Sequence, residues 1–350
     1  MNFASDNVAG AAPEILDAVV RAAAGAAGSY GDDEITQRVE RRLAELFERE
    51  VAVFLVATGS AANSLALSVM TPPYGVIYSH AEAHIQTDEC SAPEFFTGGA
   101  KLRAVPGQDG KISAADLDAV VAAGGKGVVH FPQPAAVSVT QATEAGTVYT
   151  ADELGALGEV CRRHGLGFHV DGARFANALA GRGESAAADM TWRAGVDALS
   201  LGGTKNGCLG VEAVVFFDPA KAGDFGFRRK RGGHLFSKMR FLSAQMDAYL
   251  DGGLWLRLAA HANAMARRLA DGLAALPGVS LAYAVEANEI FADLPGPMID
   301  GLLAAGAQFH RWGPETATRV RLVASFATTE AEVDGFVALA RRLSNGAPVA

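Results

Sequence analysis

Cysteine is scarce in this chain: there are three, Cys90, Cys161 and Cys208, an odd number without metal-ligand spacing. That excludes a disulfide framework and fits a reducing compartment, so the expected location is cytoplasmic. No uninterrupted apolar run approaches the roughly 18 residues of a membrane span. The first residues, Met1-Asn2-Phe3-Ala4-Ser5-Asp6-Asn7, lack a basic segment followed by an apolar core, so neither a membrane partner nor a secretory signal is expected. The eight histidines show no HExxH pattern or other paired spacing, and no metal site is expected. Basic residues are in deficit, 30 Lys and Arg against 39 Asp and Glu, and the net charge of −9 argues against nucleic acid as a partner.

What is present is the composition of a globular enzyme, half hydrophobic and 20% charged over 350 residues. Such a length allows one large domain or two of unequal size. Ile35, Val39, Leu43, Leu46 and Phe47 share one helical stripe. Val51 to Val56 is a continuous apolar run, as expected of a strand buried on both faces. Thr58-Gly59-Ser60 ends it, and Ala61 to Met70 reads as a helix. Further strands are expected at 75–78, 102–105, 127–131, 166–170, 198–201 and 213–217. Ser113 caps a helix between two of them. Thr150-Ala151-Asp152-Glu153 is a capping box opening another, closed by Gly165. Strands alternating with helices predict a mostly parallel α/β sheet. After a long helical pattern from Leu254 to Leu276, strands at 279–285, 289–294, 308–312 and 319–325 and helices at 298–305 and 330–343 read as a smaller α+β domain. The boundary is placed near Gly252-Gly253, giving 1–252 and 253–350.

The residues that carry chemistry lie at the ends of the predicted strands. Lys205 follows the apolar run Asp197 to Leu201 and the pair Gly202-Gly203. Upstream, Gly167-Phe168-His169-Val170 ends in Asp171-Gly172-Ala173-Arg174. An acid at the end of one buried strand and a lysine past the next is what pyridoxal phosphate chemistry requires. The lysine forms the Schiff base, and the aspartate keeps a proton on the pyridine nitrogen so that the ring accepts electrons. Thr58-Gly59-Ser60, where a strand stops and a helix starts, is an anion-binding turn suited to the phosphate. His84 follows the second strand of the series, where it could lie on a cofactor ring or move a proton; His80 is its alternative. Arg174 has the planar fork for a carboxylate, and Arg319 and Arg321 share one face of a late strand. Arg228-Arg229-Lys230-Arg231-Gly232-Gly233-His234 is the only basic run, read as a solvated loop whose best anionic partner is cofactor phosphate.

Together these segments resemble the low-specificity L-threonine aldolases, pyridoxal phosphate enzymes of the beta-eliminating lyase and threonine aldolase group. The resemblance runs from Phe3-Ala4-Ser5-Asp6-Asn7 and Tyr30-Gly31-Asp32-Asp33 through Ala57 to Asn63, Ala83-His84-Ile85 with Glu89, and His169 to Ala178, to Gly203-Thr204-Lys205-Asn206-Gly207. It implies the fold type I architecture: a large domain with a mostly parallel seven-stranded sheet and a smaller C-terminal α+β domain. It implies retro-aldol cleavage of β-hydroxy-α-amino acids to glycine and an aldehyde, with Lys205, His84 and Asp171 catalytic. Thr58, Gly59, Ser60, Arg174, Thr204 and Arg231 join them around the cofactor, Arg231 reaching it from a neighbouring subunit of a homotetramer, a dimer of dimers. Ser5, Arg174 and Arg321 bind the substrate carboxylate. His84, or a water it holds, is the expected base. The sequence departs from the family at a Thr-His-Asn stretch whose histidine positions the β-hydroxyl: Val139 to Gly146 puts Thr143 there. Weak discrimination at Cβ, room for an aryl substituent as in phenylserine, and strict L selectivity at Cα follow as expectations. Other reactions on this fold (β-elimination, transamination, racemisation) and a non-catalytic pyridoxal phosphate protein are the alternatives.

Overall fold

The computed structural model describes residues 1–180, 186–314 and 316–345. Its strands are, in chain order, β1 (Ala52–Val56), β2 (Gly75–His80), β3 (Lys101–Val105), a short hairpin β4 (Gly107–Gln108) and β5 (Lys111–Ile112), β6 (Gln133–Thr140), β7 (Gly167–Gly172), β8 (Ala198–Gly202) and β9 (Glu212–Phe216). The larger sheet has seven strands in the order β1-β9-β8-β7-β6-β2-β3, and β9 alone runs against its neighbours. This is the mostly parallel seven-stranded sheet expected from the alternating pattern. Its central strands are mostly apolar because helices cover both faces, and β8 and β9 are buried at every position.

One expected strand is misplaced. The run Gly127 to Phe131 is not extended: Val129 is 93% exposed, and the ladder is taken up by Gln133–Thr140 instead. The apolar run is bounded by Gly127, at positive φ, and Pro132, whereas Ala135 to Thr140 carries the small and β-branched residues that fit between β7 and β2. Pro134 is tolerated because the register with β2 shifts at this point, between Val76 and Ile77.

Both capping predictions hold. Ser113 accepts from the Asp116 amide, and Thr150 and Glu153 form the reciprocal box that starts the helix Ala151–His164. The basic run is a correction: Phe225–Arg231 is a helix, not a loop.

The last part of the chain begins at Gly252 and Gly253, both at positive φ, and the helix Leu254–Ala274. It holds a four-stranded sheet of order β10-β11-β13-β12, with β10 (Ser280–Leu281), β11 (Glu289–Asp293), β12 (His310–Arg311) and β13 (Arg319–Val323), and helices at Gly296–Ala304 and Glu330–Ser344. Two of the strands expected here are therefore much shorter than their apolar runs. The N-terminal segment joins this sheet: Phe3 accepts from the Val323 amide, and its ring meets Phe336 edge-on at 5.3 Å. Among the described residues, no helix is long and apolar enough to cross a membrane.

Candidate active site

The register of the larger sheet brings the chemistry to one edge. Thr140, the last residue of β6, pairs with Asp171 on β7; Asp171 pairs with Ser200; and Gly202, the end of β8, pairs with Glu212. Because β9 is antiparallel, its first residue, Glu212, lies at the edge where β1 and β8 end, opposite Val56 and Gly202. A cavity of about 230 Å³ opens there, at the carboxyl ends of the parallel strands, where ligands of open α/β sheets bind. Thr58, Gly59, Ser60, His84, Asp171, Arg174, Thr204 and Lys205 all line it.

Lys205 follows β8 in a single tight turn, Thr204–Asn206, and makes no direct hydrogen bond or ion pair among the described residues. Its amine is thus available to a ligand. Asp171 is held at both oxygens: Asn63 Nδ2 donates to Oδ2 at 2.8 Å and the Ala173 amide to Oδ1 at 3.0 Å. Asn63 also donates to Glu89 at 2.8 Å, and Glu89 Oε1 lies 2.9 Å from His84 Nδ1. That bond to Glu89 raises the His84 pKa and favours the protonated ring, while burial raises that of Glu89 itself. One strand layer below, His169 is bridged by Ser138 and Ser200, both at 2.9 Å, and burial lowers its pKa to about 4. It is a neutral strut.

Thr58 caps the helix Gly59–Met70 through the Ala61 amide. The first amides of that helix, those of Gly59 and Ser60, have no partner among the described residues, and nothing lies within 4 Å of where a Gly59 side chain would begin. Open donors, a bare glycine and the helix dipole form a cradle for a phosphate. With an unpaired amine, a fixed carboxylate and an imidazole around one small cavity, the donor set fits pyridoxal phosphate.

The expected substrate side is altered. Arg174 lines the cavity, but its Nε and Nη2 bond Asp6 at 2.8 and 3.0 Å, and Nη1 lies 3.1 Å from Glu289 Oε2. Arg321 bonds Glu289 at 2.7 and 3.0 Å and does not reach the cavity wall, and Arg319 is paired with Asp293. Ser5 caps Asn7 and is likewise off the wall, where Asn7 stands instead. His80 accepts from the Glu82 amide and takes no part.

Thr143 is a correction. It is fully buried, its hydroxyl sits 2.8 Å from that of Thr147, and it closes its own loop rather than facing the cavity. The side chain facing in is its neighbour Glu144. Glu212 was missed entirely: it accepts from the Gly203 amide at 3.0 Å, and burial pushes it up to about 7. A charged residue opening the otherwise apolar run 211–217 was the available signal.

The basic helix does not touch this cavity. Arg228 and Arg231 line a separate hollow with Phe95 and Phe96, and Arg229 donates to the Leu55 carbonyl. His234 Nδ1 accepts from the Ala57 amide beside the phosphate turn, so the segment approaches the site through a residue to which no role had been given.

Residues 2–295 match the family model described as beta-eliminating lyase. The chain is 43% identical over 331 residues to the low specificity L-threonine aldolase of Pseudomonas sp. (strain NCIMB 10558), covering 95% of this chain and 94% of that protein. It is 45% identical over 317 residues to the low specificity L-threonine aldolase of Pseudomonas aeruginosa, covering 91% of each. A solved structure of the Leishmania major threonine aldolase matches with a TM-score of 0.91 at 30% identity, over 98% of this chain and 99% of that one. Full-length likeness at this level, to proteins from bacteria and a protozoan, places the chain in the beta-eliminating lyase family, among the threonine aldolases.

Proposed function

We propose that this chain is a low-specificity L-threonine aldolase, cleaving L-threonine, L-allo-threonine and related β-hydroxy-α-amino acids to glycine and an aldehyde. One observation carries the reading: Lys205, Asp171, His84 and the free amides of a helix start converge on a single cavity, in a chain 43–45% identical to such enzymes. Pyridoxal phosphate, the cofactor of this family, supplies the electron sink for the bond broken at Cα.

The protein's part is to hold and orient. Thr58, Gly59 and Ser60 receive the phosphate, with Thr204 beside them. Lys205 Nζ, without a direct partner among the described residues, would hold the cofactor covalently. Asp171, fixed by Asn63 and Ala173, would supply the negative charge that keeps the cofactor's ring nitrogen protonated. His84, locked by Glu89, covers the cavity. Arg174 has one guanidinium edge committed to Asp6, which leaves the Nη1/Nη2 edge to grip a carboxylate in competition with Glu289. That grip turns the Cα–Cβ bond for cleavage. Ser5 and Arg321 act through this network, by positioning Asp6 and Glu289, rather than by direct contact. The enzyme works in the cytoplasm as a homotetramer, with Arg231 completing the phosphate site of a neighbouring subunit, and residues 1–252 and 253–350 form its two domains.

The test is to incubate the holoenzyme with L-threonine and quantify acetaldehyde and glycine. Equimolar amounts of the two are expected. Formation of 2-oxobutanoate and ammonia, of a keto acid by transamination, or of D-allo-threonine by inversion at Cα would replace the aldolase reading with one of the other reactions this fold supports.

A further inference from the structure

Glu144, whose side chain lines the cavity, holds a buried carboxylate oxygen with no hydrogen-bond partner among the described residues. Glu144 follows Thr140 by one turn of loop, and its Oε1 accepts from Thr140 Oγ1 at 2.7 Å and from the His84 amide at 2.8 Å. Its Oε2 is sealed from solvent and has no hydrogen-bond partner among the described residues, although the side chain lines the cavity. Leaving a buried polar oxygen unsatisfied costs about 1–3 kcal/mol, more for a charged group. A hydroxyl donated by a ligand is the partner that removes this cost.

We propose that Glu144 Oε2 binds the β-hydroxyl of the substrate and takes its proton as the Cα–Cβ bond breaks. This rests on the aldolase reading above and names the base within it. The other acids of the site are committed. Asp171 is engaged at both oxygens, Glu212 accepts from the Gly203 amide, and Glu89 is shared by Asn63, Ser64 and His84. His84, expected to be the base, is biased by Glu89 toward its protonated form, which donates rather than accepts. Burial pushes Glu144 up to about 7, against the help it receives from Thr140, with the Asp171 charge adding to the rise. Arg174, Tyr149 and His84 are the other titratable groups around it. A carboxylate near 7 is matched to accepting and returning a proton at neutral pH.

The step balances. The O–H bond breaks and an Oε2–H bond forms; the O–H electron pair becomes the second bond of the aldehyde carbonyl. The Cα–Cβ pair stays with Cα, which is then protonated by that proton or an equivalent one from Lys205 Nζ, giving glycine. No proton is gained or lost over a turnover.

Glu144→Gln in the holoenzyme tests this, since the amide preserves the shape and an acceptor for Thr140 and His84. Two reactions are followed: cleavage of L-threonine, and exchange of the Cα proton of glycine in deuterated water, which needs no β-hydroxyl. The expected result is a loss of kcat/KM for cleavage on the order of 10² or more, with glycine exchange within about threefold of wild type. The cofactor absorbance and the dissociation constant for pyridoxal phosphate should be unchanged. The acid limb of the wild-type pH profile of kcat/KM should vanish in the variant. Cleavage retained at the wild-type rate overturns the proposal, as does a parallel loss of cleavage and exchange, which would make Glu144 structural. Failure of the wild type itself to release acetaldehyde would instead overturn the aldolase reading.

Discussion

Lys205 is half-buried and has no direct partner among the described residues, while three carboxylates, Asp6, Asp171 and Glu212, stand around the same site. A structural lysine in such company would be ion-paired. Lys205→Ala should therefore abolish turnover and the absorption band of the covalently held cofactor, while near-ultraviolet dichroism shows the fold intact. Retention of the wild-type band in the variant would remove Lys205 from its role. Residue identity was legible here because strand ends, glycines and one lysine coincide in sequence. It was not legible at Thr143 and Glu144. Which of two adjacent loop residues faces a cavity depends on the turn Thr143–Thr147, whose hydrogen bonds no strand or helix period encodes. With Thr143 off the cavity, the expectation of weak selectivity at Cβ loses its basis, and recognition of the β-hydroxyl passes to Glu144. Beneath the site, His169 yields a pH prediction. Its pKa falls from the ordinary 6.5 to about 4 on burial, so the unfolded chain binds the extra proton between these values and His169 contributes stability that is lost as pH falls through that window. Glu144 and Glu212, raised by burial, oppose this over much of the same range, so the comparison must be with a variant. In urea unfolding, the stability gap between wild type and His169→Gln should narrow by about 2 kcal/mol from pH 7 to pH 5. A constant gap would mean that His169 is not buried neutral.

Elements were easier to read than residues where local chemistry marks their ends. The caps at Ser113 and Thr150 and the left-handed Gly165 are short-range features and fall where expected. The strand at 127–131 failed because apolarity alone does not choose between a strand and an exposed turn; its neighbour 133–140 won by pairing with two strands that are distant in sequence. Close approach between elements leaves a signature of its own at Gly202. A side chain there would begin 2.5 Å from the Ala173 carbonyl oxygen and 2.8 Å from the Ala173 Cα, so β8 ends against the turn that follows Asp171 only because Gly202 has no Cβ. Gly202→Ala should push these turns apart, costing about 1–3 kcal/mol and weakening cofactor affinity through displacement of both Asp171 and Lys205. Thermal unfolding and titration with pyridoxal phosphate measure the two effects. A normal melting temperature with normal affinity would show that the turn after β7 relaxes freely.

At the scale of the whole molecule, one ionic network ties three regions together. Asp6 from the N-terminal segment and Glu289 from β11 meet on Arg174 beyond β7, and Asn288 and Arg321 fasten those acids in turn. The N-terminal segment thus belongs physically to both sheets, which the linear division at Gly252-Gly253 does not express. The alternation of strands and helices along the chain predicted the α/β fold correctly, but contacts between distant segments leave no trace in that pattern. The basic helix points beyond the single chain. Arg231 stands away from the cavity of its own chain, on a surface where Phe95 is 78% and Phe227 79% exposed. Apolar rings of this size beside Arg231, which has no side-chain partner among the described residues, mark a surface that buries itself in another protein, and a second copy of the chain is the partner we propose. Cofactor retention should then depend on assembly. Arg231→Ala should raise the dissociation constant for pyridoxal phosphate by about tenfold or more, the loss of one charge-assisted contact worth roughly 1.4 kcal/mol. Dilution of the wild type until light scattering reports the monomer mass should release cofactor with the same midpoint as dissociation. A monomer that keeps its cofactor and its activity at high dilution would show that each chain completes its own phosphate site, with the amides of Gly59 and Ser60 sufficient for the anion.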